Sequence, residues 1–219
     1  MLCTIAVVAT DRWATFDCYG TLIDWNGGIR GELARVFGEE RADELLDRYH
    51  ELEPELELDG KRSYREVLTE AMRRVGAPAA EEDALARSLP GWQSFPDVPD
   101  ALRDARERGW KLAILSNTDR DYIDASMRQL GVPFELAIVA SEIGSYKPGL
   151  AHWRAFEERI GRSPDVHVAA SLFHDIAPAN ELGLPSIWIN RLGEQRGPEP
   201  TKELPDLRQL PAVLDEVAA

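Results

Sequence analysis

The sequence predicts an α/β protein, a doubly wound parallel sheet with a block of helices inserted after the first strand. Three observations point there. From about Leu102 onward, short apolar runs alternate with segments of helical periodicity, the pattern of a parallel sheet covered on both faces. The run at 111–115 is continuously apolar after its lysine, as strands buried on two faces are. Between residues 25 and 89 the apolar spacing is helical, with no convincing strand.

Each element has its own justification. Residues 13–16 form a short apolar run that meets Asp17 and then a Tyr19-Gly20-Thr21 turn. Beyond it, Leu45, Tyr49, Leu52 and Leu56 recur at helical spacing and define one apolar face. Pro54 interrupts that face, and a kink or break is expected there. Ser63-Tyr64-Arg65-Glu66 reads as a capping box opening a new helix. Leu68, Met72 and Val75 line that helix and Gly76 closes it. Leu85 and Leu89 mark a weaker helical segment, and residues 90–99, rich in prolines and aromatics, form the return crossing.

From there strands and helices alternate. A helix bearing Leu102 and Ala105 stops at Gly109, and the strand at 111–115 ends in Ser116-Asn117-Thr118-Asp119. A capped helix carrying Ile123, Met127 and Leu130 follows. Strands are expected at 136–139, 166–170 and 186–189, with a helix bearing Phe156 and Ile160 between the first two. Gly193 to Lys202 is a polar, Pro-rich loop, and 207–217 is a closing helix. The expected organisation is a Rossmann-like catalytic core, residues 1–24 and 92–219, with a helical cap at 25–91.

Bulk properties bound the function. A chain of 219 residues holds one large domain, or a core with a small insertion. Its formal net charge of −14 repels phosphate backbones, which argues against nucleic acid as a partner. A small anionic substrate remains open to a locally positive site. The longest apolar run, near Ile5 to Ala9, is too short to cross a bilayer. It lacks a basic leader and a convincing cleavage site, so residues 1–10 are expected to be an edge strand or a loose terminus. Cys3 and Cys18 form neither a disulfide framework nor a metal-ligand spacing. A reduced, cytoplasmic setting fits, with Cys18 read as a small buried hydrophobe.

Four strand ends each deliver polar groups: Asp17, Ser116 with Asn117, Lys147, and Asp175. Each has a bland local explanation as a cap or a solvated loop residue. Strand ends of a parallel sheet lie on one edge, however, so groups distant in sequence converge there. A carboxylate held facing an electrophile is a competent nucleophile, and a neighbouring ammonium such as Lys147 favours its charged form. Thr21 is placed to donate a hydrogen bond to Asp17, while Ser116 and Asn117 offer donors to an anionic substrate. Asp175 is suited to pair with Lys147 or to orient a water. Ser171, His174 and Asp175 lie too close on one turn to relay as a triad, and His50, His152 and His167 show no ligand spacing.

The strings Phe16-Asp17-Cys18-Tyr19-Gly20-Thr21-Leu22, Leu115-Ser116-Asn117-Thr118-Asp119, Ser145-Tyr146-Lys147-Pro148-Gly149 and Ser171-Leu172-Phe173-His174-Asp175 resemble the four motifs of the haloacid dehalogenase superfamily, in their usual order. The resemblance implies that Asp17 is the nucleophile. Phosphatases of that superfamily carry a second aspartate two residues later, as general acid and magnesium contact, where this chain has Tyr19. They usually carry an acidic metal ligand in a Gly-Asp-Ser stretch, where this chain has Ala169-Ala170-Ser171. The Asp-x-Tyr-Gly-Thr form is similar to the L-2-haloacid dehalogenase branch, which works without metal. The resemblance therefore implies no cofactor and no metal. A halide needs no proton to leave, which gives the loss of the general acid a physical reason.

By the same resemblance, Asp17 attacks C2 of a 2-haloalkanoate and displaces halide. Water then cleaves the ester at the Asp17 carboxyl carbon and releases an inverted 2-hydroxy acid. Ser116 would hold the substrate carboxylate and Asn117 would face the halide, with Lys147 and Asp175 managing charge and water. Arg48 would join the halide cradle from the cap, and Tyr19, Ser171 and His174 would line the substrate pocket. A homodimer is suggested. Three departures alter the pocket: Trp153 where the branch has a tyrosine, Leu172 where it has an asparagine, and His174 where it has an aromatic. A magnesium-dependent phosphatase of the same superfamily and a catalytically silent binding protein are the alternatives.

Overall fold

The structure is a computed structural model that describes residues 11–58, 60–195 and 197–218. The expectation for residues 1–10, and Cys3 with it, lies outside the described residues. Six strands form one parallel sheet: β1 (Arg12–Phe16), β2 (Trp110–Ser116), β3 (Leu136–Val139), β4 (Val166–Ala169), β5 (Ser186–Ile189) and β6 (Lys202–Leu204), in the order β3-β2-β1-β4-β5-β6. The chain steps outward from β1 to β3, then returns to the other side of β1 as β4. The order reverses at the β1–β4 pair, where Phe16 lies opposite Val168 and the Asp17 amide donates to the Val168 carbonyl at 3.0 Å. Ligands of open α/β sheets collect beyond the carboxyl ends of the strands at such a reversal.

The helices are α1 (Trp25–Phe37), α2 (Ala42–Glu57), α3 (Tyr64–Arg74), α4 (Ala84–Ser88), α5 (Val98–Glu107), α6 (Arg120–Leu130), α7 (Ala140–Ile143), α8 (Ala151–Ile160), α9 (Ala177–Glu181) and α10 (Leu210–Val217). Side chains of β2 alternate between two cores, as strand geometry requires. Leu112 and Ile114 join the larger core, while Ala113 and Leu115 join Trp13, Ile138, Trp153 and Phe156 on the opposite face. The α1–α4 block buries Ile29, Leu33, Tyr49, Leu52, Val67, Leu68 and Leu85 into that larger core. Its outgoing and returning crossings pair with each other: Ile23 bridges Ser94, and the Asp24 amide donates to the Gln93 carbonyl at 2.8 Å.

The expected capping box is present. Ser63 Oγ accepts from the Glu66 amide at 3.3 Å, and Glu66 Oε2 accepts from the Ser63 amide at 2.8 Å. Three details differ from expectation. Helix α2 runs through Pro54 to Glu57 without a break; burial of Leu52 and Leu56 on either side of the proline holds it helical. The loop at 193–202 leads into β6, an edge strand of three residues whose Lys202 and Glu203 hide it from an apolar pattern. The closing helix begins at Leu210, three residues later than expected.

Candidate active site

Asp17 follows the last residue of β1, and the turn behind it depends on Gly20, whose φ of 87° suits a residue without a side chain. The Leu22 amide donates to the Cys18 carbonyl at 2.8 Å, closing that turn. Thr21 Oγ1 is thereby aimed back at Asp17 Oδ2, to which it donates at 2.7 Å, and it accepts from the Ala170 amide at 2.9 Å. The same hydroxyl thus ties the ends of β1 and β4 together.

Lys147 reaches the centre from the loop after α7. Its ammonium donates to Asp17 Oδ1 at 2.9 Å, Asp175 Oδ1 at 2.7 Å and the Leu115 carbonyl at 2.9 Å. All three of its protons are matched by acceptors, at a side chain only 1% exposed. Burial works against this charge, but the two carboxylates outweigh it and raise the Lys147 pKa above the usual lysine range. Burial also acts to raise Asp175. Lys147 and the hydrogen bond from His167 overcome that and hold its carboxyl well below the ordinary value. His167 Nε2 lies 2.9 Å from Asp175 Oδ1, and its Nδ1 lies 2.9 Å from Thr15 Oγ1. The other Asp175 oxygen, Oδ2, is buried without a hydrogen-bond partner.

Asn117 positions the lysine backbone. Its Oδ1 accepts from the Lys147 amide at 2.6 Å, and its Nδ2 donates to the Lys147 carbonyl at 3.0 Å. These groups open on a cavity of about 560 Å³ between the strand ends and the inserted helices, lined also by Tyr19, Ser116, Ser171, Leu172 and His174. That volume falls in the range of small-molecule sites, roughly 300–1000 Å³.

A family model for haloacid dehalogenase-like hydrolases matches residues 12–183. The chain belongs to the haloacid dehalogenase-like hydrolases. It is 28% identical to an (S)-2-haloacid dehalogenase of Pseudomonas sp. (strain YL), over 93% of this chain and 94% of that protein. It is also 28% identical to a phosphoserine phosphatase of Thermus thermophilus, over 68% of this chain and 60% of that one. Among solved structures, the L-2-haloacid dehalogenase from Xanthobacter autotrophicus with chloropropionic acid covalently bound matches with a TM-score of 0.79, 19% identity and coverage of 93% and 98%. Identity that low carries the fold alone.

Within this haloacid dehalogenase-like hydrolase, the residues expected at the site are distributed as follows. Asp17, Thr21, Lys147 and Asp175 meet in one hydrogen-bonded cluster. Tyr19 presents its ring to the cavity, stacked 6.3 Å from Tyr64, while its hydroxyl bonds Ser126 at 3.0 Å. Ser171 caps the turn after β4: its Oγ accepts from the His174 amide at 3.0 Å and lies 3.2 Å from His174 Nδ1. Burial keeps the His174 pKa below its ordinary value. Trp153 lies away from the cavity lining, in the second core, with its ring 5.2 Å from that of His167.

Arg48 is not part of the site. It lies on the outer face of α2, ion-paired with Glu51 at 2.5 Å, its side chain 54% exposed. The apolar stripe of Tyr49, Leu52 and Leu56 fixes the rotation of the helix, and at about 100° per residue this turns position 48 away from the cavity. The side of α2 that does face the cavity carries His50, Glu53 and Glu57.

The glutamates were not anticipated. Glu53 Oε1 accepts from the Tyr64 hydroxyl at 2.8 Å and the Tyr49 hydroxyl at 3.1 Å. Glu57 Oε2 accepts from Asn117 Nδ2 at 3.2 Å and lies 4.0 Å from His174 Nε2. Burial and the charge of Asp17 push Glu53 up to about 7, and burial and the charge of Glu53 push Glu57 up to about 9. Their placement was readable in principle, since positions 53 and 57 flank the apolar stripe one turn apart.

A magnesium ion, which the phosphatase alternative requires, does not suit this donor set. Asp17 and Asp175 each give an oxygen to the Lys147 ammonium. Among the described residues no group of three His, Cys, Asp or Glu side chains is arranged to hold a metal ion. Such a hard cation takes several oxygen ligands.

Proposed function

We propose that this hydrolase releases halide from small 2-haloalkanoic acids through an ester on Asp17, yielding a 2-hydroxy acid. The observation that carries the reading is the Asp17–Lys147 ion pair, 2.9 Å long, with Tyr19 standing where a phosphatase keeps its general acid. The relatives named as (S)-2-haloacid dehalogenases support it. In this reading residues 25–91 act as a cap that shuts the cavity from bulk water. Asp17 displaces halide from C2, with Thr21 and Lys147 orienting one carboxylate oxygen each. Ser116 meets the substrate carboxylate, and a water held near Asp175 then attacks the Asp17 carboxyl carbon. Asn117 acts through the Lys147 backbone that it braces on both sides.

The test is halide release from L-2-chloropropionate by the wild-type chain and by Asp17→Asn, with and without a chelator. The reading expects release that ignores the chelator and is lost in the variant. Magnesium-dependent turnover of p-nitrophenyl phosphate, with no halide released, would overturn it.

A further inference from the structure

The carboxyl of Glu57 lies on the wall of the cavity that Asp17 also lines, bonded to Asn117 and close to His174. By resemblance Asn117 faces the leaving atom. Both Nδ2 protons of Asn117 are already committed, one to the Lys147 carbonyl at 3.0 Å and one to Glu57 Oε2 at 3.2 Å. His174 Nε2 points the same way, 4.0 Å from that oxygen. Arg48, the expected cationic contact, is on the far side of the helix. Asn117 thus holds an oxygen of Glu57, carried by α2, beside the place that the resemblance gives the halide.

An ionised glutamate there would repel a departing anion, whereas a neutral one donates a hydrogen bond to it. Resting on the dehalogenase reading above, we propose that the Glu57 carboxyl is a catalytic hydrogen-bond donor to the leaving halide, and that the site therefore favours fluoride over bromide. Fluoride is the halide that accepts a proton most readily and leaves worst unaided, so it gains most from the donor. As Asp17 Oδ bonds to C2, the C–X bond breaks and its electron pair leaves on the halide, which accepts a hydrogen bond from the neutral Glu57 carboxyl. The products are the ester and X⁻, with the proton kept on Glu57. Water then hydrolyses the ester to the hydroxy acid and regenerates the Asp17 carboxylate. That step releases one proton to solvent, and the halide departs as the anion.

The surroundings keep Glu57 neutral near pH 7. It is 8% exposed, with Glu53 one turn back on its own helix and Asn117, Lys147 and His174 facing it from the strand-end loops. Tyr49, Tyr64 and Tyr146 complete the surround. Burial and Glu53 favour the acid, and Asn117 and Lys147 oppose them without prevailing.

The experiment compares kcat/KM for 2-fluoro-, 2-chloro- and 2-bromopropionate between pH 5 and 10 in wild type, Glu57→Gln and Glu57→Leu, with thermal melts to confirm folding. We expect fluoride release to fall at least about tenfold more than bromide release in Glu57→Leu, and much less in Glu57→Gln, which keeps an N–H donor. Wild-type fluoride release should decline at alkaline pH, and Glu57→Gln should lack that decline. Halide release by Glu57→Leu with an unchanged fluoride-to-bromide ratio would overturn the role of Glu57 alone. Release from none of the three by wild type would overturn the dehalogenase reading and this inference together.

Discussion

Lys147 and Glu57 show how one cavity gives its carboxyls opposite surroundings. Asp17 and Asp175 each receive a charge-assisted hydrogen bond from a buried ammonium. Glu53 and Glu57, on the opposite wall, receive only neutral donors: two tyrosine hydroxyls and an amide. Environment separates four groups of one chemical class, the arrangement from which acid and nucleophile roles arise. It also links stability to pH. Glu53 at about 7 and Glu57 at about 9 both lie above their ordinary 4.5, so the folded chain binds these protons more tightly than the unfolded chain. Their contribution is complete below about pH 4.5 and is lost as pH rises through 7 and 9. Asp175, held low by Lys147, acts in the opposite sense and only in acid. The melting temperature should therefore fall between pH 5 and 9 in wild type and fall less in the Glu53→Gln, Glu57→Gln double variant. Parallel curves would show that neither glutamate retains its proton on folding.

At the level of elements, the junction between the inserted helices and the sheet is polar and specific. Asp119 follows β2 at the start of α6, but its side chain makes no capping bond there. Its two oxygens instead accept from the Tyr64 and Arg65 amides, each at 3.0 Å, at the start of α3. Together with Ser63, it satisfies the first amides of that helix, which no helical carbonyl can reach. Asp119→Ala should cost about 1 kcal/mol in denaturant unfolding, the usual worth of a cap. It should also speed hydrogen exchange at Tyr64 and Arg65. Unchanged exchange at those amides would show that Ser63 alone suffices. The continuity of α2 matters in the same way, because Glu57 lies beyond Pro54 and reaches the cavity only if the helix does not break.

Across the whole molecule, what was legible in the sequence was what repeats. Apolar runs such as 111–115 announce central strands, and the cluster of Asp17, Lys147 and Asp175 follows once those strand ends share an edge. What escaped was what depends on rotation or on isolated residues. Arg48, Glu53 and Glu57 share one helix, and only the fixed orientation of α2 sorts an outward arginine from inward glutamates. A charged residue on a helix is ordinarily solvated, so the position of these two beside the apolar stripe did not by itself mark them as buried. His167, set aside for want of ligand spacing, proves to hold Asp175 because β4 runs beside β1 and brings it to Thr15. Edge strand β6 is too short and too charged to announce itself.

The claim on which the account rests is that Asp17, rather than water, attacks the substrate carbon. A single turnover of L-2-chloropropionate with enzyme in excess, run in oxygen-18 water and read by mass spectrometry, tests it directly. The account predicts the heavy oxygen in the peptide bearing Asp17 and unlabelled oxygen in the 2-hydroxyl of the released acid. Label in that hydroxyl, with none in the protein, would contradict it.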